Sequence, residues 1–488
     1  MTTSSPPGVF DRAHRRTTVG LLMLITFIAF EAMAVGTAMP TAVAELDGLA
    51  WYGWPFSAFL VASVVGMVAG GDAGDRRGPR IALPWGVGVF AAGLLLSGLA
   101  GNMAVFVTGR AVQGFGAGVM VVLLYVIAGQ AYEPVLRPRL FGAFSTAWVL
   151  PALVGPVVAG LVTTHASWRL VFLGLVPLIV VGAVLVVSAT RSIAAPTNPA
   201  AAAPARRWWA ALTGLGIAAL QYAGQRLDAL AAVLAVAGAV ALVAGLRPLL
   251  PPGTARARRG LPAVIASRGL LAGAFFGMDA LLPLALTSVH GYSPTAAGIP
   301  LTAGAIGWSV ASNLQGRFPG VPREKLLRAG FALVALGLAG SALAAVPALG
   351  GWPAYPFWAL AGLGMGLGMP SVGVLLLDQS PKHRRGADSA ALQIADVTAS
   401  ALCIGLAGVL IAAAATGPLP LPAAVIASVA VFTLVTLVGV GVAGRAAAPA
   451  AGAVPPGATT LARDRACEVT REQSMTVTWP TSASEEGR

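Results

Sequence analysis

The chain has 488 residues, of which 57% are hydrophobic and only 10% are charged, and its mean hydropathy is +0.81. Soluble globular chains carry about 25% charged residues, so this composition excludes a soluble protein over most of the length. The formal net charge of +13 would suit a nucleic-acid partner. The basic residues, however, stand between apolar segments, which indicates loops that face lipid headgroups and no nucleic-acid partner.

Apolar stretches of about 20 residues, the length that crosses a bilayer core, recur along the chain. They predict about fourteen transmembrane helices and therefore an all-α polytopic membrane protein. The predicted spans are 19–41, 52–71, 81–101, 104–130, 140–163, 168–190, 209–224, 228–247, 268–289, 296–315, 327–346, 355–377, 389–413 and 421–443.

Basic residues cluster on alternate connections, and the opposite connections hold only Arg169 and Arg226. By the positive-inside rule, we expect both termini in the cytoplasm, which requires an even number of spans. Segment 191–208 is predicted to be a cytoplasmic linker, and 446–488 a disordered cytoplasmic tail. Arginines far outnumber lysines, a bias typical of a GC-rich genome, so we expect a multi-pass protein of a bacterial cell membrane.

The connection GGDAGDRRGPR at 70–80 combines glycines, which allow a sharp turn, with an acid among arginines. Asp75 can form a breakable ionic latch there, and a charged turn that only sets topology is the alternative. The spacing resembles the signature loop of the major facilitator superfamily. That resemblance implies a latch that holds the two halves in the outward-facing state, formed by Gly71, Asp75, Arg76, Gly78 and Arg80.

A second motif, RAVQGFGAG at 110–118, resembles the helix-4 motif of the same superfamily through Arg110, Gln113 and Gly114. An arginine inside a span costs about 2.5–3.5 kcal/mol to insert. We therefore expect Arg110 to face a cavity or an acid, and snorkelling to the outer surface is the alternative.

A third motif, PALVGPVVAG at 151–160, resembles the antiporter motif of helix 5 through Gly155, Pro156 and Gly160. Pro156 removes a backbone hydrogen bond and permits a bend, and the small residues allow close approach to a partner helix. A kink with ordinary packing is the alternative. The match favours export over import.

A single carboxylate, Glu31, lies in the apolar run FIAFEAMAVG at 27–36. It precedes Pro40 by nine residues, a register that resembles the first helix of the fourteen-helix drug:proton antiporters. Burial disfavours an ionised carboxylate and a cationic neighbour favours it, so an acid between the two can exchange protons near neutral pH. Glu31 and Arg110 are the candidate proton-coupling residues. A structural ion pair without turnover is the alternative.

Two further acids lie in the second half of the chain. The resemblance places Asp279 on a cavity-lining helix, as a second proton carrier or a cation-binding acid. Asp396 either meets the connection around Asp75 or caps polar groups in the packing. Tryptophans inside spans can offer flat faces to aromatic or cationic substrates. Packing against lipid or neighbouring helices is the alternative. The candidate residues of the substrate cavity are Gln113, Trp148, Trp308, Gln393 and Asp396.

The resemblance covers roughly residues 18–445 and implies a major facilitator fold, with two six-helix bundles and two inserted helices. The predicted organisation is a cytoplasmic tail 1–17, a first bundle 18–190, the linker 191–208, two inserted helices with a basic loop 209–262, a second bundle 263–445 and the tail 446–488.

The resemblance also implies proton-coupled export of hydrophobic small molecules, cationic ones among them, by alternating access. Such a carrier uses the proton gradient, has a small-molecule substrate, protons and the lipid bilayer as partners, works as a monomer and needs no cofactor or metal. The alternatives are an exporter of an endogenous metabolite or lipid, a proton symporter for uptake, and a transport-inactive membrane sensor or assembly partner. An enzyme is not indicated, because the sequence offers no nucleophile–base set, metal cluster or nucleotide loop.

Overall fold

The structure is a computed structural model. It describes residues 8–12, 14–133, 136–189, 204–224, 229–315, 321–381, 385–417 and 419–447. The predicted linker falls outside the described residues up to residue 203, and the predicted tail falls outside them from residue 448 onwards. Over the described part, the regular structure is helical throughout and contains no strand.

The described part contains fifteen α-helices. They are α1 (Arg15–Glu45), α2 (Trp54–Arg77), α3 (Pro79–Gly98), α4 (Met103–Ala131), α5 (Arg137–His165), α6 (Arg169–Leu173), α7 (Leu175–Ala189), α8 (Pro204–Ala223), α9 (Ala229–Leu249), α10 (Leu261–His290), α11 (Pro294–Gln315), α12 (Arg323–Ser341), α13 (Ala354–Gln379), α14 (Arg385–Thr416) and α15 (Leu421–Ala443). Helices α6 and α7 belong to one apolar segment, Arg169–Val187. Eleven helical segments of the described residues are long and apolar enough to cross a membrane, which confirms a polytopic helical protein.

Several helices extend beyond the predicted spans. Helix α2 continues to Arg77, so the predicted connection between the second and third spans reduces to Gly78. Helix α10 begins at Leu261 instead of residue 268. Helix α8 begins at Pro204, inside the predicted linker, where proline suits the first helical position because it needs no backbone donor there. Apolar runs mark the hydrocarbon core, whereas the backbone hydrogen bonds of a helix continue past it.

The helices pack in two sets with the same pairing. In the first set, α4 packs on α2 and α3, and α1 packs on α5 and α7. In the second set, α13 packs on α11 and α12, and α10 packs on α14 and α15. Equivalent helices follow in the same order, which is the plan of carriers built from parallel repeats. We call α1–α7 the first half and α10–α15 the second half.

The halves meet along two seams, one between α5 and α11 and the other between α2 and α14. We call the end of the bundle with the α1–α2 and α10–α11 connections the far end, and the opposite end, where α1 starts and α15 stops, the near end. Close contacts join the halves at the far end. A side chain at Gly160 of α5 would overlap the backbone of Thr295 of α11, and Gly53 touches Gly408 of α14.

The helix pair α8–α9 joins the two halves in sequence. Helix α8 packs on both α2 and α14, and α9 packs on α8. The outer face of α9 carries exposed valines, as a lipid-facing surface would: Val233, Val236, Val240 and Val243. The pair therefore lies outside the repeated helices, beside the α2–α14 seam.

Candidate functional site

A buried ion pair lies inside the first half. Glu31 of α1 has no exposed surface and Arg110 of α4 is 2% exposed. Arg110 Nη1 donates to Oε1 of Glu31 and, at 2.7 Å, to Oε1 of Gln113, while Nε donates to the carbonyl of Pro55 at 3.3 Å. Arg110 therefore does not snorkel to the outer surface. It faces an acid.

Two polar atoms of this network have no hydrogen-bond partner in the described part of the chain. They are Oε2 of Glu31 and Nε2 of Gln113, and both are buried. An unpaired buried polar group typically costs about 1–3 kcal/mol. Among the described residues, the network therefore binds Glu31 through one carboxylate oxygen.

Aromatic rings complete the surroundings of the arginine. The guanidinium carbon of Arg110 lies 4.4 Å from the ring centre of Phe59 and 5.9 Å from that of Phe172, within the range of a cation–π interaction. Neither ring, nor the Pro55 carbonyl, is indicated by the sequence. A phenylalanine in an apolar helix and a backbone carbonyl carry no signal that distinguishes them from packing.

Asp279 lies on α10 and is half-buried, without a hydrogen bond or ion pair to any described residue. Its backbone carbonyl lies beside Gly36 of α1, and its carboxylate interacts electrostatically with Tyr52. The Tyr52 hydroxyl in turn donates to the carbonyl of Ala280 at 2.6 Å. Asp279 thus faces the boundary between the halves, and no hydrogen bond joins it to the Glu31 network in the part described.

Asp396 of α14 has a partner that the sequence did not suggest. Its Oδ2 accepts from Nε of Arg268 at 2.7 Å and lies 2.6 Å from Nη2. The two side chains are 12% and 20% exposed, and both belong to the second half. The predicted span began at residue 268 and so placed Arg268 at a membrane boundary, although the helix begins two turns earlier.

The other predicted cavity residues do not form a single cluster. Trp308 of α11 lies in an aromatic group, with its ring centre 5.8 Å from that of Phe275 and 6.4 Å from that of Phe276. Gln393 is exposed. Trp148 lies in α5, but its side chain is outside what the structure describes. The contacts of Trp308 fit the packing alternative.

The residues of the predicted latch lie at the near end of α2 and α3. Arg76 forms an ion pair with Asp72, one turn earlier, at 2.6 Å. The side chain of Asp75 is outside what the structure describes. Gly78 separates the helices with φ 76° and ψ 156°, a conformation that favours glycine. Gly71 lies on α2 and Arg80 in the first turn of α3, where it is exposed.

The helix-5 motif contacts both halves. A side chain at Gly155 would meet Met33 and Phe30 of α1, and the carbonyl of Pro156 lies against Gly298 of α11. Gly160 packs on the Thr295 backbone, and one turn later Thr164 Oγ1 lies 3.1 Å from Thr295 Oγ1. Helix α5 is therefore the element through which the first half closes on α11 at the far end.

A second ion pair, which sequence analysis missed, joins helix ends of the first half. Glu45, the last residue of α1, accepts from Nε1 of Trp168 at 2.7 Å and pairs with Arg169. Arg169 Nη2 also donates to the carbonyl of Ala100 at 3.2 Å. These contacts are partly exposed, and they connect the far ends of α1, α3 and α6. Among the described residues, no cluster of three potential metal ligands occurs.

The described helices form two repeated halves, most of whose helices are long and apolar enough to cross a membrane, with a buried charge pair between α1 and α4. The sequence matches the model of the Major Facilitator Superfamily over residues 21–403. The chain belongs to this superfamily.

Its relatives include multidrug transporters. The chain is 31% identical over 153 residues to the Multidrug transporter protein MdtP of Bacillus subtilis, a match that covers 31% of this chain and 28% of the relative. It is 30% identical over 160 residues to Multidrug resistance protein 3 of the same organism, covering 33% and 31%. The chain thus matches less than a third of the length of either relative.

A solved structure shows the same fold. The auto-inhibited peptide transporter of the POT family superposes with a TM-score of 0.65 at 17% identity, covering 89% of this chain and 98% of the other. At this identity, the likeness concerns the arrangement of helices alone.

Proposed function

We propose that this chain is a proton-coupled antiporter that exports hydrophobic small molecules, cationic ones among them, by alternating access. The observation that carries the proposal is the buried pair of Glu31 and Arg110, in which Oε2 of Glu31 has no hydrogen-bond partner in the described part. The similarity to multidrug transporters supports the substrate class. The helix-5 motif supports export.

The network around Glu31 is suited to gaining and losing a proton. Desolvation favours the neutral carboxyl of Glu31, whereas the charge of Arg110 favours the carboxylate. The two effects therefore oppose each other in setting the protonation of this one group. When Glu31 is protonated, Arg110 keeps Gln113 and Pro55 as acceptors. The guanidinium therefore stays hydrogen-bonded, and the ion pair can break without leaving Arg110 unpaired.

Alternating access would separate the halves at one end while they close at the other. We propose that the near end faces the cytoplasm, in accord with the positive-inside rule, and that the contacts of Gly160 and Tyr52 close the path at the outer side. The latch around Asp75 would hold the opposite, outward-facing state. A proton that moves inward through 100 mV supplies about 2.3 kcal/mol for this cycle.

Asp279 would serve as the second titratable group of the cycle. It lies on α10 at the boundary of the halves and has no ion-pair partner among the described residues, so a cation or a proton can neutralise it. In this scheme, Glu31 and Asp279 take up protons from the outside, and their protonation releases the substrate there. The two acids then release their protons to the cytoplasm.

The experiment is proton release driven by substrate in proteoliposomes, with the fluorescent cation ethidium as the probe. We compare wild type with Glu31→Gln and Asp279→Asn, and we expect each variant to lose most of the proton signal. Glu45→Gln is the matched control, because Glu45 is 49% exposed and lies outside the network. Equal proton signals in all four proteins would refute proton coupling through these acids.

A further inference from the structure

Helix α8 lies along one of the two seams between the halves. Val61 and Val64 of α2, Thr213 and Ile217 of α8, and Val397 of α14 line their common junction. Gly214 allows α8 to approach Val61, and Gly224, just after the helix, allows approach to Val409 of α14. The inserted helix therefore touches both sides of the seam over several turns. A helix in this place must adjust whenever α2 and α14 separate.

Gln221 of α8 directs an amide into the seam. It is 3% exposed. Its amide lies among three glycines, where a side chain at Gly53 or Gly408 would come 3.3 or 3.5 Å from Nε2, and one at Gly405 would come 3.4 Å from Oε1. Gly53 directly precedes α2, and the other two belong to α14. The amide thus fits a slot whose walls come from different halves.

Neither atom of this amide is satisfied. Both Oε1 and Nε2 of Gln221 are buried without a hydrogen-bond partner in the described part of the chain. On the α14 side of the same seam, the hydroxyl of Thr398 is likewise buried and has no hydrogen-bond partner among the described residues. Buried polar groups without partners disfavour the state that buries them. The closed seam therefore contains polar groups that gain partners as soon as water reaches them.

We propose that α8 is a gating element in which Gln221 opposes closure of the α2–α14 seam at the far end. Apolar contacts of α8 with Val61 and Val409 favour the closed seam, and the unpaired amide favours the open one. The balance keeps the two states close in free energy, as alternating access needs. This inference rests on the proposed alternating access, but not on the substrate or on proton coupling.

The test measures closure of the far end directly in the full chain. Thr164→Cys and Thr295→Cys replace two hydroxyls that lie 3.1 Å apart across the other seam, with Cys403 and Cys467 changed to Ser. Rigid rocking of the halves closes both seams together, so the disulfide yield after mild oxidation reports the closed state. We measure it in proteoliposomes without substrate and without a pH gradient.

In this background, Gln221→Leu removes the amide at similar volume. We expect the closed-to-open ratio to rise on the order of tenfold, and ethidium export to slow because the far end opens less often. Gln221→Met gives the same readout with an unbranched side chain, should the leucine not fold. Gln130→Leu is the matched control, because Gln130 is exposed on α4.

Cross-linking of Gln221→Leu or Gln221→Met that equals that of Gln130→Leu would overturn the gating role. The same holds for a fall in cross-linking, since it would mean that the amide supports closure. Proton coupling is tested separately, because Glu31→Gln is expected to abolish proton release. If proton release is absent in wild type while Gln221→Leu still raises cross-linking, the antiport proposal fails and the gating role stands.

Discussion

Arg110 of α4 and Glu31 of α1 form an ion pair in which both side chains are buried. The arginine also donates to Gln113 and Pro55, so it has three acceptors, whereas the carboxylate receives a donor at one oxygen only. The pair is therefore asymmetric in its hydrogen bonds: without Glu31 the arginine keeps two acceptors, whereas only one oxygen of Glu31 has a donor among the described residues.

This asymmetry predicts unequal effects of removing either partner. Arg110→Ala breaks the buried ion pair and removes the other hydrogen bonds of the guanidinium, and it should cost about 3–5 kcal/mol of stability. Glu31→Gln should cost clearly less, because the amide oxygen can still accept from Arg110. The melting temperatures of the purified variants in detergent measure the difference.

The exposed pair of Arg169 and Glu45 supplies the control for that comparison. Its side chains are 29% and 49% exposed, and exposed pairs contribute at most about 1 kcal/mol. Arg169→Ala should therefore change the melting temperature much less than Arg110→Ala. Similar decreases in melting temperature for Arg110→Ala and Arg169→Ala would contradict the view that burial determines how much stability each ion pair contributes.

The acid and the arginine of the site could be predicted from sequence because each is costly alone in hydrocarbon. Glu31 of α1 and Arg110 of α4 are thus expected to form an ion pair, and in the structure they are in contact. The acceptor at Pro55 and the ring of Phe59 could not be predicted, since their contributions depend on which turn of α2 faces Arg110.

The number of helices follows from the apolar runs, but their ends do not. Helix α10 shows the consequence: its early start puts Arg268 inside the bundle and pairs it with Asp396.

Gln221 could not be predicted from its own segment of sequence. Its residue type is ordinary, and its place between the halves depends on glycines that are distant in sequence, Gly53, Gly405 and Gly408.

The Arg268–Asp396 pair predicts a charge-swap rescue. Asp396→Asn leaves Arg268 without its carboxylate and should lower both the melting temperature and the export rate. Because the side chains of Arg268 and Asp396 are 20% and 12% exposed, water can solvate the charge that remains. The loss of stability should therefore be smaller than that of Arg110→Ala. The double variant Arg268→Asp with Asp396→Arg should recover part of the stability.

A failure of the double variant to exceed Arg268→Asp alone in melting temperature would count against a direct pair interaction. Arg323→Ala is a suitable comparison at the same end of the bundle, since Arg323 donates to the uncharged amide of Gln315 at 3.0 Å and not to a carboxylate. The loss of this charge-assisted hydrogen bond should cost about 1.5–3 kcal/mol.

Gly78 predicts a backbone effect at the near end. With φ 76° and ψ 156°, any other residue is strained, and Gly78→Ala should cost about 1–3 kcal/mol. Gly373→Ala is the matched control in α13, where an added Cβ meets nothing within 4 Å and alanine favours the helix. Melting temperatures of the two variants should move in opposite directions, and equal shifts would argue against strain at Gly78.

Gly160 predicts how closure of the far end depends on helix approach. A Cβ at this position would overlap the backbone of Thr295, and backbone cannot move aside as a flexible side chain can. Gly160→Ala should therefore hold α5 away from α11 and lower the disulfide yield between cysteines at positions 164 and 295. Gly88→Ala, where an added Cβ meets nothing within 4 Å, should leave the yield unchanged. Because the proposed export cycle needs the far end to close again after each release, Gly160→Ala should slow transport while Glu31 and Arg110 remain intact. A variant that exports at the normal rate with a normal disulfide yield would mean that α5 and α11 need not touch for the cycle to run.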